Sequence, residues 1–130
     1  MRRRHGERSR RGAAAIEYAL LLPVLLLIVL GIIDAGRLLW VYTTLNRAAA
    51  AAARCAVVNA SECSSEPQIK SRVVAEAWGL GISPAAVAVT TAACGVQVSA
   101  NYDFAFIIPG LGAISPLGTI TLRATACYPQ

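Results

Sequence analysis

Side chains that carry catalysis are scarce in this sequence. Histidine occurs once, as His5, in a basic stretch at the beginning. Beyond Asp34 the acids are Glu62, Glu66, Glu76 and Asp103, scattered over expected helix ends, turns and a strand, so no pair converges for general acid–base work. No glycine-rich phosphate loop follows an expected strand, and no serine stands in a nucleophile elbow. The four cysteines contain no close C-x2–4-C pair, which ranks a four-cysteine zinc site behind disulfides as a reading. These absences argue against an enzyme, and no catalytic residue, metal ligand or cofactor is assigned.

Net charge is missing from most of the chain as well. The formal charge is +5. Arg2, Arg3, Arg4, Arg8, Arg10 and Arg11 against Glu7 account for all of it, and from Ala13 onward basic and acidic residues cancel. A nucleic-acid partner would rest on that short tail alone and is not expected. Apolar residues, by contrast, are abundant: 56% of 130 positions are hydrophobic, which suits one membrane segment and one small domain.

No charge interrupts Tyr18 to Ile33, and counting from Ala13 adds only Glu17. At about 1.5 Å of rise per residue the run from Ala13 is roughly 32 Å long as a helix, against a hydrocarbon core of about 30 Å. Pro23 removes one donor and should bend the helix, which membrane helices tolerate. The arginines place the beginning on the cytoplasmic side and everything past about Asp34 outside, where an even number of cysteines suits disulfides. The chain therefore parses into a basic cytoplasmic leader (1–12), a transmembrane helix (13–33), a helical extension (34–60) and a small extracytoplasmic α+β domain (61–130). Such a chain is a single-pass cell-membrane protein in contact with membrane lipid. A secretory signal peptide fits less well, because the small-residue stretch Ala48 to Ala53 lies far beyond the apolar run. A twin-arginine signal is hinted at by Ser9-Arg10-Arg11, but Gly12 and three alanines follow where bulkier apolar residues belong. A plain uncleaved anchor explains everything except Glu17.

A carboxylate at the centre of a spanning helix costs roughly 2.5–3.5 kcal/mol, and less near the end, so such residues usually have a partner. A cut between Gly12 and Ala13 would create an amino terminus one helical turn from Glu17, able to pair with that carboxylate in the same chain or in a neighbouring copy. The string Gly12-Ala13-Ala14-Ala15-Ile16-Glu17-Tyr18 resembles the class III prepilin signal, in which a prepilin peptidase cuts after glycine and the fifth residue of the mature chain is glutamate. Its Glu-Tyr pair is similar to that of the Flp-type pilins of the tight-adherence (Tad) system, whose major subunits are much shorter. The closer resemblance is to the TadE-like family of minor pilins, or pseudopilins. Arg11-Gly12, Glu17, Leu22-Pro23, Asp34-Ala35-Gly36-Arg37-Leu38-Leu39-Trp40 and the alanine-rich Ala48 to Arg54 carry it, over Arg11 to about Val58. The resemblance implies a pilin-like fold, cleavage between Gly12 and Ala13, and an assembly role for Glu17 and Tyr18. It implies as partners a prepilin peptidase, other pilin or pseudopilin subunits and inner-membrane pilus assembly proteins, with display at the cell surface after assembly. Without it, Gly12 is a flexible joint and Tyr18 an interfacial aromatic. Asp34 and Arg37 are then an ordinary surface pair at the outer membrane boundary, and Gly31 and Ala35 put small residues on one helix face.

Past the membrane, Leu38 to about Asn59 should continue as helix, since no Pro or Gly follows Gly36 there. Its alanines from Ala48 to Ala53 make a thin rod suited to packing against copies of itself. Ser65-Glu66-Pro67 reads as a second helix start, and Ile69, Val73 and Ala77 give that helix one apolar face before Gly79 or Gly81 ends it. Val96, Val98, Ala100, Tyr102, Phe104 and Phe106 alternate with polar residues, as do Ile120, Leu122, Ala124 and Ala126, which is the period of a strand with one buried face. A shorter run, Ala86 to Thr91, precedes them. The expected fold class is thus α+β: a single N-terminal transmembrane helix continuing as a long helix, a short helix, and a small antiparallel three-stranded sheet covered by either helix or both. Ile108 to Gly118 is loop, its apolar side chains available to a partner or to the membrane surface. If Ala105 meets Thr119, Cys127 falls opposite Gln97 and close to Cys94. That favours Cys94–Cys127 and leaves Cys55 and Cys63 to close a short loop, each bond worth roughly 2–4 kcal/mol. Two functions remain open, a pseudopilin and an uncleaved single-span protein whose outer domain binds a ligand or envelope partner.

Overall fold

Alanine and leucine are strong helix formers, and from His5 to Val58 nothing ends the helix they build. In the computed structural model, which describes residues 5–108 and 118–129, that stretch is one helix, α1 (His5–Val58), with Pro23 inside it. The chain then turns through Asn59 to Ser65, where the amides of Glu62 and Cys63 donate to the Asn59 carbonyl. The second helix, α2 (Glu66–Glu76), begins at Ser65 with Pro67 in its first turn. The Gln68 side-chain oxygen reaches back to accept from the amides of Ser64 and Ser65, satisfying donors that a helix start leaves free. A short 3-10 turn (Pro84–Ala86) leads into β1 (Val87–Ala92), β2 (Gly95–Ala105) and β3 (Thr119–Tyr128).

The three strands form an antiparallel meander in the order β1-β2-β3. Ala105 pairs with Thr119 and Gln97 with Cys127, the register under which Cys127 is expected to fall close to Cys94. At the tight link between β1 and β2, Gly95 has φ +117°, and a Cβ there would collide with the Tyr128 carbonyl. Only glycine lets the hairpin turn this close to the end of β3.

Both helices cover one face of the sheet, α1 against β2 and β3, and α2 against α1 and β1. Their buried side chains meet in a single cluster that includes Leu45, Ile69, Val73, Val98, Phe104 and Ala124. Ala48, Ala49, Ala52 and Ala53 are at most 1% exposed within that cluster. Most of the alanine run is thus consumed inside the subunit, where small side chains bring the helix close to the sheet. The thin rod expected to suit packing against copies packs first against its own sheet, which the long helix is also expected to cover. Of the expected loop, residues 109–117 lie outside the described residues.

Candidate functional site

Two features of α1 bear on function, one at each end of its apolar segment. The first surrounds Glu17. Every residue from Ala14 to Leu30 is exposed, and the most apolar eighteen-residue window of the helix has no part buried in the protein. Leucines such as Leu20, at 71% exposure, line it on all sides. A helix this apolar on every side requires lipid or another protein surface around it. Glu17 and Tyr18 are exposed on it, and Gly12 and Ala13 lie on the same helix about one turn earlier. The neighbours of Glu17 three and four residues away are Ala13, Ala14, Leu20 and Leu21, and among the described residues it forms no ion pair. A carboxylate so placed is open to a partner on whatever packs against the helix.

The second feature is Asp34, the first charged residue after the apolar run. It is 1% exposed. Its carboxylate accepts from the Arg37 guanidinium at 2.9 Å, from the Ile107 amide at 3.0 Å and from the Ile108 amide at 3.2 Å. The Arg37 guanidinium lies 5.1 Å over the Phe104 ring, which stands edge to face with Phe106. The expectation of an ordinary surface pair is therefore corrected. Asp34 and Arg37 are two members of a clamp whose remaining members are backbone amides just past the end of β2. Those amides have left the sheet ladder, and Asp34 supplies the acceptor they lack. Burial would push the carboxyl of Asp34 up, but the Ile107 and Ile108 amides and the Arg37 guanidinium together outweigh it and hold the group below the usual carboxylate range. The acid-x-Gly-Arg spacing marked these residues as a pair. Nothing in it pointed to amides more than seventy residues away.

Beside the clamp lies a cavity of about 350 Å³ whose wall includes Arg37, Trp40, Gly79, Tyr102 and Asp103. Cys55 is bonded to Cys63 across the turn after α1, and Cys94 to Cys127 across the β1–β2 link and the end of β3. Among the described residues no group of His, Cys, Asp and Glu is placed to hold a metal ion.

A bare apolar helix that continues into a small disulfide-braced α+β domain defines a membrane-anchored protein with one candidate spanning segment. Residues 12–54 match the family model described as TadE-like protein, so the chain carries a TadE-like segment running from Gly12 through Glu17 and Asp34 to the alanine run. The match spans about a third of the chain and associates it with Tad/Flp pilus systems. No curated protein and no solved structure matches the chain significantly.

Proposed function

We propose that the chain is a TadE-like pseudopilin, made as a membrane precursor and cut after Gly12 by a prepilin peptidase, that acts in assembly of a Flp/Tad-type pilus or a related secretion system. In this reading the arginines of residues 1–12 hold the beginning of the chain in the cytoplasm until cleavage, and the C-terminal domain stands outside the membrane. The carrying observation is Glu17, an exposed carboxylate in the otherwise apolar stretch of α1 that ends at Ile33, one turn from Ala13 and inside the segment that matches the TadE-like model. The amino group uncovered at Ala13 would answer that carboxylate, in the same chain or in a neighbouring pilin subunit, and Tyr18 would pack beside the pair. Assembly partners are then other pilin or pseudopilin subunits and the inner-membrane assembly proteins. The disulfides brace the domain that remains exposed.

Amino-terminal sequencing of protein from native membranes tests this directly: the expected mature chain begins at Ala13. Retention of Met1 or of the arginines would sink the cleavage step. Glu17→Ala is expected to impair incorporation into assemblies while leaving the domain folded, and unimpaired assembly would remove the pairing role. A second reading, an uncleaved single-span protein with a binding domain, draws on the cavity beside Trp40. It predicts an intact leader and indifference to Glu17→Ala.

A further inference from the structure

We infer that the end of the C-terminal domain nearest the apolar segment is a membrane-contacting rim, in which Trp40, Trp78 and Ile107 lie at the level of the lipid headgroups and Arg37 reaches their phosphates. The inference rests on the reading of residues 13–33 as a bilayer span and adds to it where the folded domain sits. Depth is the first argument. Asp34 follows the last residue of the uncharged run, and its hydrogen bonds to Ile107 and Ile108 hold the end of β2 at that same boundary. Ile107 is nevertheless 52% exposed there. Trp40 is six residues further along the helix, roughly 9 Å, but helical side chains lean toward the helix start and so back toward the bilayer. The headgroup layer on each side of a bilayer is about 5–7 Å thick. The ring of Trp40 lies against Gly79, where an added Cβ would stand 3.4 Å from Cη2, which brings Trp78 to the same level.

Residue identity is the second argument. The chain has two tryptophans, and both fall on this rim, exposed at 48% and 75%. Tryptophan favours the membrane interface because its ring is apolar and its N–H needs a polar partner. Among the described residues beyond Asp34 the exposed large apolar side chains are Leu39, Trp40, Tyr42, Val58, Trp78 and Ile107. All but Val58 lie within the first turns after Asp34 or beside residues that meet them, Trp78 next to Gly79 and Ile107 on Asp34, so these exposed apolar side chains gather at the membrane end of the domain. Arg37 completes the pattern. One guanidinium nitrogen holds Asp34, the side chain is 45% exposed, and the remaining donors suit phosphate oxygens.

The test uses the full chain in phosphatidylcholine–phosphatidylglycerol vesicles, with Trp40→Phe and Trp78→Phe variants that each leave one tryptophan to report. Flotation of the vesicles reads anchoring, and quenching of emission by bromine on the lipid chains reads depth. Each tryptophan is expected to emit to the blue of tryptophan in water. Each should be quenched more by bromine high on the acyl chain than near its end, and shielded from aqueous iodide. Protein that floats with the vesicles but leaves both tryptophans open to iodide and blind to bromine overturns the rim while sparing the anchor. Protein that does not float overturns the anchor and the rim together. A response from Trp40 alone overturns the placement of Trp78.

Discussion

Helix α1 joins two stretches that treat their apolar side chains in opposite ways. From Ala14 to Leu30 it is rich in leucine and every residue is exposed, whereas from Val41 to Cys55 it is rich in alanine and buries a face made of Val41, Leu45, Ala48, Ala49, Ala52, Ala53 and Cys55. The more strongly apolar stretch is the uncovered one. The reason is periodicity: leucine, isoleucine and valine surround the first stretch, so a sheet on one side would leave the rest exposed, whereas Thr43, Arg47 and Arg54 keep the opposite side of the second stretch polar. Side-chain size adds to this, because alanine admits close approach of helix and sheet that leucine at the same positions would block. Asp34 marks the change from one regime to the other, being both the residue that follows the uncharged run and the first buried one among the described residues.

The contrast can be broken by substitution. Leu45→Ala is expected to have the largest effect, a loss of about 2–5 kcal/mol in denaturant unfolding of the full chain in micelles, since it opens a cavity at a fully buried position. Ala52→Leu should lose about 1–3 kcal/mol by overpacking, although leucine is the more apolar residue. A neutral or stabilising result there would mean that the alanine face is free, as a bare rod would be.

Acid should sharpen the boundary itself. The Asp34 carboxyl is held below its ordinary range in the folded protein, so its contribution is present in full above the unfolded-state pKa and is lost as pH falls through the folded-state value. The unfolding midpoint should therefore fall on acidification through and below the usual carboxylate range. Asp34→Asn should lower the midpoint at neutral pH and flatten that part of the profile; an unchanged profile would remove the clamp. The smallest effect is expected from Leu25→Ala, less than about 0.5 kcal/mol on unfolding of the domain, because Leu25 touches nothing the domain buries. A loss comparable to that of Leu45→Ala would erase the difference between the two stretches.

Much of the fold was legible in the sequence because period and register are local properties. The alternation of Val96 to Phe106 and of Ile120 to Ala126 specified which faces are buried, and antiparallel pairing then carried Cys127 to the neighbourhood of Cys94. Ser65-Glu66-Pro67 announced α2 for equally local reasons. Of the candidate site, Glu17 was legible as a charge in an apolar run. The clamp was not, because backbone amides leave no mark in the side-chain pattern and Ile107 and Ile108 read only as apolar loop residues. Nor could six identical neighbours disclose which of them face the sheet. The rim was missed for a similar reason: Trp40 and Trp78 are far apart in the chain, and the packing of Gly79 under Trp40 gathers them.

By itself the sequence determined the helices, the strands with their buried faces and the apolar segment with its one glutamate, since each follows from spacing along the chain and the handed geometry of the backbone; it favoured one pairing of the cysteines, which the fold then fixed. Tertiary structure alone decided which alanines are core, what Asp34 holds and where the exposed tryptophans collect. Those outcomes depend on which distant surfaces meet, and contact between distant surfaces is settled by packing and by the need to satisfy buried polar groups.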